Sequence, residues 1–151
     1  MLIFLDIDGV MVPAKGWKVP ELMDDGFPAF SNRAVVALAQ IIARKNTIIL
    51  TSSHKANFSI QEWKSIFKRR GIDIEKLQRL PASPLNVSRK EELMKWFSSH
   101  PMTGDFVIID DDSSLNELPV EYKRALVQTS PTVGLTEEHV NAIIDLTRNP
   151  E

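Results

Sequence analysis

The sequence contains no cysteine, which excludes disulfide bonds, thiolate metal sites and cysteine nucleophiles. It has little net charge: 18 basic and 20 acidic residues give a formal charge of −2, so no whole-protein field favours nucleic acid or an acidic membrane. Long apolar runs are also missing. The N-terminal run lacks a preceding basic region and is interrupted at Asp6, so it is typical of neither a signal peptide nor a membrane span. We expect a cytoplasmic protein without a membrane partner.

The remaining totals are ordinary for a globular protein. Apolar residues make up 43% of the chain and charged residues 25%. A length of 151 residues suits one domain, and the sequence shows no internal repeat or low-complexity segment. We therefore expect residues 1–151 to form a single domain.

The first ten residues carry the strongest signal in the chain. Residues 2–5 form a continuous apolar run, which predicts a strand buried on both faces. Asp6 and Asp8 follow two residues apart, so their side chains are expected on the same side of the strand end. Gly9 allows a sharp turn and a close approach to a ligand. Because two adjacent carboxylates repel each other, this pattern indicates a site for a hard cation, although an acidic turn is the simpler alternative.

The segment at about 11–30 is rich in proline and glycine and is predicted to be a long loop containing a hairpin. A loop of this length placed directly after two carboxylates is expected to act as a flap over them. Lys15 and Trp17 are candidate substrate contacts within it, and a packing role for Trp17 is an equal alternative.

Helices and strands alternate through the rest of the chain. Ser31 or Asn32, Ser59, Ser88 and Thr136 are predicted helix caps, and the Ser59 and Ser88 caps have a glutamate three residues later. Segment 72–80 is ambiguous and allows a short strand near 77–80. The predicted elements are helices at 32–45, 59–70, 88–99, 113–118 and 136–146, and strands at 47–50, 106–109 and 125–127.

This alternation predicts an α/β fold with a central parallel sheet covered by helices on both faces, a three-layer α/β/α Rossmann-like architecture. The three clearest strands each end in polar residues that can perform chemistry. Ligands in such sheets bind beyond the carboxyl ends of the strands. The clusters are Asp6 with Asp8, Thr51 with Ser52, and Asp110 with Asp111 and Asp112.

In motif order the chain resembles the haloacid dehalogenase-like (HAD) superfamily of phosphohydrolases. The resemblance spans residues 1 to about 112. The first and fourth motifs are specific, whereas the second and third gain weight from their order and spacing. The four matching segments are Asp6-Ile7-Asp8-Gly9, Ile48-Ile49-Leu50-Thr51-Ser52, Arg89 or Lys90, and Val107-Ile108-Ile109-Asp110-Asp111.

The resemblance implies an Mg²⁺-dependent phosphatase. Asp6 would attack phosphorus to form an aspartyl-phosphate, and Asp8 would serve as general acid and then general base. Mg²⁺ would be held by Asp6, the backbone carbonyl of Asp8 and Asp111. Asp110 is expected to support Asp111, and Asp112 to cap the short helix that follows.

The same resemblance assigns the phosphoryl contacts. Ser52 is the preferred hydroxyl and Thr51 its alternative. Arg89 is the preferred cation and Lys90 its alternative. Gly9, Thr51, Ser53 and Lys90 are the expected substrate-binding residues.

Other function classes fit less well. A receiver domain would need an Asp at the end of the second strand, and a silent binding module would lack part of the acidic set. A dehalogenase is disfavoured because Asp8 supplies the acid/base group. The alternatives that stay open are phosphotransfer, nucleic-acid end processing, and a catalytically silent phosphate- and Mg²⁺-binding module on the same fold.

The sequence leaves no room for a separate cap domain, either in the loop at 11–30 or between Ser52 and Arg89. An open site favours a macromolecular phosphorylated substrate, or a neighbouring subunit that covers the site. No residue pattern identifies the substrate, and none fixes the oligomeric state.

Some residues are expected to be structural. His54, His100 and His139 lack metal-ligand spacing and are interpreted as surface or loop residues. Trp63 and Trp96 lie on helix stripes and are expected in the core. The basic edge of the second helix is expected to be solvated; it comprises Lys64, Lys68, Arg69 and Arg70.

Overall fold

The structure, a computed structural model, describes residues 1–13, 21–43, 46–84, 86–101 and 104–148. Its centre is a five-stranded sheet in the order β3-β2-β1-β4-β5, and every strand pair is parallel. β1 therefore lies in the middle and places the first acidic motif between two neighbouring strand ends. The strands are β1 (Leu2–Leu5), β2 (Thr47–Leu50), β3 (Lys76–Arg79), β4 (Phe106–Asp110) and β5 (Leu126–Gln128).

Helices cover both faces of this sheet, which confirms the predicted three-layer α/β/α architecture. The larger core lies under α1, α2 and α5, and includes Ile3 and Leu5 of β1. The smaller core lies under α3 on the opposite face and includes Phe4. Successive β1 residues thus serve opposite layers, as the strand period requires. The helices are α1 (Asn32–Ile42), α2 (Ile60–Arg69), α3 (Arg89–Ser99), α4 (Val120–Lys123) and α5 (Glu137–Arg148).

The predicted helix caps have a structural counterpart. Ser31 accepts a hydrogen bond from Ala34 N at 3.1 Å, so it caps α1 in preference to Asn32. Ser59 and Glu62 form the reciprocal capping box at the start of α2. At α3, the Ser88 hydroxyl accepts from the backbone of the residue three positions later. Side-chain capping therefore sets where three of the helices begin.

Strand boundaries differ slightly from the sequence prediction. β3 begins at Lys76, one residue before the predicted segment 77–80. Only Leu77 of its four residues is buried, so the sequence carries a weak apolar signal at this sheet edge. β4 extends one residue further than predicted and includes Asp110, and β5 lies one residue later. α4 follows Pro119 and was not predicted.

The described part of the long loop contains the expected hairpin. An antiparallel bridge joins Leu22 to Pro28, and Met23 N donates to Phe27 O at 2.9 Å. The hairpin, residues 21–30, packs beside α2 and inserts Phe27 and Phe30 into the larger core. Residues 14–20, including Lys15 and Trp17, lie outside the described residues.

Arg70 fixes this hairpin to the C-terminal end of α2. Its guanidinium donates to both carboxylate oxygens of Asp25, at 2.6 and 3.0 Å, and to the carbonyl oxygens of Phe27 and Pro28. The same group lies 5.1 Å from the centroid of the Phe30 ring. The expectation that Arg70 is solvated is therefore wrong, because the carboxylate and carbonyls of a distant hairpin compensate its burial.

No helix within the described ranges is long and apolar enough to cross a membrane.

Replacing Arg70 with methionine is expected to lower the free energy of unfolding by about 3 kcal/mol, because Asp25 and two hairpin carbonyls lose their donor. Urea unfolding followed by tryptophan fluorescence measures this change.

The same substitution at Arg69 is the matched control. Arg69 pairs with Asp24 at 2.8 Å, but the Asp24 side chain is 91% exposed. Such a pair is expected to contribute less than about 1 kcal/mol. Equal losses for the two variants would contradict the assigned role of Arg70.

Candidate active site

Three neighbouring strands bring the predicted motifs to one edge of the sheet. Leu5 is paired with Leu50 of β2 and with Ile109 of β4. The ladder continues one step further, since Asp6 N donates to Ile109 O at 3.1 Å and Thr51 N donates to Leu5 O at 2.9 Å. The residues that follow these strands therefore lie side by side at their carboxyl ends.

A buried charge cluster forms at this edge. Asp6 is 4% exposed and Asp110 is fully buried. Arg89, the first residue of α3, hydrogen-bonds Asp110 Oδ2 and donates to Thr51 Oγ1 at 3.2 Å. Its Nη1 lies 3.5 Å from Asp6 Oδ1. One guanidinium thus contacts two buried carboxylates at the ends of adjacent strands.

Burial and mutual repulsion perturb these groups. Burial, followed by the charge of Asp110, raises the pKa of Asp6 to about 8, although Arg89 opposes the shift. Burial also raises the pKa of Asp110 against the effect of Arg89. Burial disfavours the charged Arg89 guanidinium, but Asp110 and Asp6 together raise its pKa. When they are ionised, the clustered carboxylates therefore carry more negative charge than one arginine balances.

The donor set suits a divalent metal. Carboxylate oxygens of Asp6, Asp110 and Asp111 all lie within 4.8 Å of one another. Gly9 provides the room for Asp111, because an added Cβ at this glycine would lie 2.0 Å from Asp111 Oδ2. The φ angle of Gly9 is +81°, which also favours glycine. Oxygen ligands with excess negative charge are the ligands that Mg²⁺ prefers.

Asp8 occupies a different environment from Asp6. The main chain forms one tight turn after β1, in which Met11 N and Val12 N both donate to Ile7 O. This turn places the Asp8 carboxylate outside the buried cluster, with 57% of the side chain exposed. Asp8 Oδ2 lies 2.8 Å from His54 Nε2. Two carboxylates in contrasting environments are typical of a nucleophile paired with an acid/base group.

Residues 2–140 match the family model described as the HAD domain in Swiss Army Knife RNA repair proteins. The chain belongs to this family. No individual curated protein matches the chain significantly. The match covers every motif described above, so the HAD superfamily inferred from the sequence is confirmed.

Of the remaining predicted site residues of this HAD domain, some lie in the buried charge cluster and others lie outside it. Arg89, not Lys90, enters the charge cluster, while Lys90 is half-buried and its backbone N–H donates to Ser114 Oγ. Thr51 contacts Arg89, whereas the buried Ser52 hydroxyl accepts from His54 N at 3.1 Å. Ser53 is exposed.

Asp112 has the capping role expected from the sequence. Its carboxylate accepts from Ser114 N at 2.9 Å, at the start of a 3-10 turn over Ser113–Glu117. Its backbone N–H donates to Asp110 Oδ1 at 3.0 Å, which helps to orient the buried carboxylate. Asp111 thus belongs to the acidic cluster, whereas Asp112 caps the turn that follows, although the two residues are adjacent in the chain.

Sequence reasoning missed three further contributors to this HAD site. Thr129, just after β5, donates to Gly9 O at 2.7 Å and so fixes the acidic turn. Lys55 is buried and pairs with Glu92 at 2.7 Å, which joins the turn after β2 to α3. His54, interpreted as a surface or loop residue, lies in the turn after β2 and contacts Asp8. Its position two residues after Ser52 is the sequence feature that could have indicated a place near the site.

In the metal-free HAD domain, stability is expected to fall as pH rises from about 4 to 8 through the contribution of Asp6. The folded-state pKa of Asp6, about 8, lies above its ordinary value of 3.8, so the folded state retains a proton that the unfolded state has released. Asp6→Asn should flatten this part of the profile. Thermal unfolding in excess chelator at several pH values measures it.

Asp105→Asn is the control, because Asp105 is exposed. A profile that keeps its slope in Asp6→Asn, or loses it equally in Asp105→Asn, would contradict the assignment of the shift to Asp6.

Proposed function

We propose that this HAD domain is an Mg²⁺-dependent phosphomonoesterase that acts through an aspartyl-phosphate on Asp6. The observation that carries the proposal is the buried Asp6 carboxylate, which lies beside Arg89 and within 4.8 Å of the Asp110 and Asp111 oxygens. A carboxylate held in this way can attack phosphorus, and the surrounding charges can stabilise the negative charge of the transferring group.

In the first half-reaction, an Asp6 oxygen forms a bond to phosphorus as the bond from phosphorus to the ester oxygen breaks. Asp8 gives its proton to the departing oxygen, so the product leaves as an alcohol. Arg89 faces the transferring group and neutralises part of its negative charge. The hydroxyl of Ser52 donates to a phosphoryl oxygen, with Thr51 as the alternative donor.

In the second half-reaction, water attacks the phosphorus of the aspartyl-phosphate. Asp8, now ionised, takes a proton from this water, and the bond between phosphorus and Asp6 breaks. Asp6 returns as a carboxylate and inorganic phosphate departs. The exposure of Asp8 supports this assignment, because the residue must meet both the leaving group and water.

Asp6, the Asp8 carbonyl and Asp111 would hold the Mg²⁺, with Asp110 oriented behind them by Arg89 and Asp112 N. When bound, the ion supplies positive charge that lowers the Asp6 pKa and polarises the phosphoryl oxygens. The negative excess of the cluster supports this role.

We further propose that the substrate is a phosphorylated RNA end. The family model describes HAD domains of RNA repair proteins. The exposed Asp8 side chain also supports a large substrate, since a polymer can cover a carboxylate that the described residues leave open to solvent.

Asp6→Asn and Asp111→Ala are each expected to reduce kcat/KM for a generic aryl phosphate by at least about a thousandfold, by removing the nucleophile and a metal ligand. Excess chelator should have the same effect on the unmodified protein. A colorimetric phosphatase assay measures all three.

Asp112→Ala is the matched control, because Asp112 caps a 3-10 turn and is not assigned to the metal. It should cost about 1 kcal/mol of stability and leave turnover within about threefold of the unmodified protein. Full activity in chelator, or equal losses in Asp111→Ala and Asp112→Ala, would refute the proposed metal centre.

The substrate proposal predicts a higher kcat/KM for a 3′- or 5′-phosphorylated oligoribonucleotide than for the matching nucleoside monophosphate, by about tenfold or more. Phosphate release from both, with the solution mass measured alongside, provides the comparison. A phosphopeptide of similar length is the control for size alone. Preference for the monomer by a monomeric protein would contradict the open-site argument.

A further inference from the structure

The imidazole of His54 is held in place from several directions. The His54 backbone N–H donates to Ser52 Oγ at 3.1 Å, and its carbonyl accepts from Asn57 N at 2.9 Å. The Phe27 ring packs against the imidazole at 89°, with the ring centroids 5.7 Å apart. Because Arg70 fixes the hairpin that carries Phe27, the position of the Phe27 ring is itself fixed.

The ring points its Nε2 at the expected acid/base residue. Nε2 lies 2.8 Å from Asp8 Oδ2, and within the described ranges the Asp8 carboxylate has no other hydrogen bond or ion pair. An exposed carboxylate without a partner samples several rotamers, and selecting one of them costs free energy. A hydrogen bond to Oδ2 removes that freedom and leaves Oδ1 to carry the transferable proton.

We propose that His54 is a positioning residue that aims the Asp8 carboxyl group at the leaving oxygen of the phosphoester. The inference rests on the proposed function, because it assumes that Asp8 is the general acid. The bond from Nε2–H to Oδ2 forms whether Oδ1 carries a proton or has lost it. The same contact therefore serves proton donation in the first half-reaction and proton uptake in the second.

The main test varies the leaving group. The value of kcat/KM reports the steps through departure of the leaving group, so it isolates proton donation from hydrolysis of the intermediate. In His54→Ala, kcat/KM for alkyl phosphates should fall about ten- to a hundredfold, whereas kcat/KM for 4-nitrophenyl phosphate should fall less than about threefold. The difference arises because 4-nitrophenolate leaves without a proton. A merely structural defect would lower both values equally.

Conservative variants locate the contact on the ring. The glutamine amide nitrogen can replace Nε2, whereas that of asparagine corresponds to Nδ1 and falls short of Asp8. His54→Gln should therefore recover most of the alkyl-phosphate activity, and His54→Asn should behave like His54→Ala. His100→Ala is the control histidine, because His100 stacks on Trp96 at the opposite end of α3, roughly 15 Å from the site.

A second readout needs neither metal nor substrate. In the metal-free protein at alkaline pH, a long-range ¹H–¹⁵N spectrum should show the neutral His54 ring with its proton on Nε2. Asp8→Asn should shift the Nε2 resonance and leave that of His100 unchanged. A proton on Nδ1 of His54, or resonances insensitive to Asp8→Asn, would overturn the proposed contact.

The outcomes separate this inference from the proposed function. If the unmodified protein hydrolyses phosphate esters and Asp6→Asn does not, the proposed function stands. An equal loss for alkyl and aryl substrates in His54→Ala then overturns the positioning role alone. If the unmodified protein hydrolyses none of these esters with Mg²⁺ present, the proposed function and the positioning role fail together.

Discussion

The structure of the candidate active site depends on the burial of two carboxylates, Asp6 and Asp110, against the single guanidinium of Arg89. Asp6 and Asp110 end adjacent strands, so the sheet register forces them together. Arg89 can be placed between them because Ser88 starts α3 at the required point. An isolated pair of buried carboxylates would be too costly, and one arginine compensates only part of the cost. The remaining negative charge is what suits this edge to the proposed cation.

The surrounding structure holds this cluster and the acidic turn beside it. Thr129 fixes the turn through Gly9 O, and the pair of Lys55 with Glu92 joins the neighbouring elements. On the outer side, contacts run from Arg70 through Phe27 to His54 and then to Asp8. The hairpin thus contributes to the site although the Asp8 side chain remains 57% exposed. Rigid support for Asp8 is consistent with its proposed acid/base role, which requires that its proton be aimed.

The sequence predicted the features that depend on local pattern. Buried strands and helix caps are recognisable from the types and spacing of neighbouring residues, and the motifs from their order along the chain. The fold and the superfamily could therefore be inferred. Interactions between distant residues could not. Arg70 sits in a basic stretch that is typical of a solvated helix, and its burial is explained by hairpin groups such as the Asp25 carboxylate, 45 positions away, and the Phe27 carbonyl. The contact of His54 with Asp8, 46 positions apart, is equally invisible without the fold. The choice of Arg89 over Lys90 depended on helix phase, which a single boundary residue decides.

The central claim is that Asp6 becomes covalently phosphorylated. Its most direct test is to quench the reaction during turnover, reduce any acyl phosphate with labelled borohydride, and map the label by mass spectrometry. We expect a label on Asp6 that requires both substrate and Mg²⁺ and is absent from Asp6→Asn. A label on a different carboxylate, or sustained turnover without any labelled carboxylate, would contradict it.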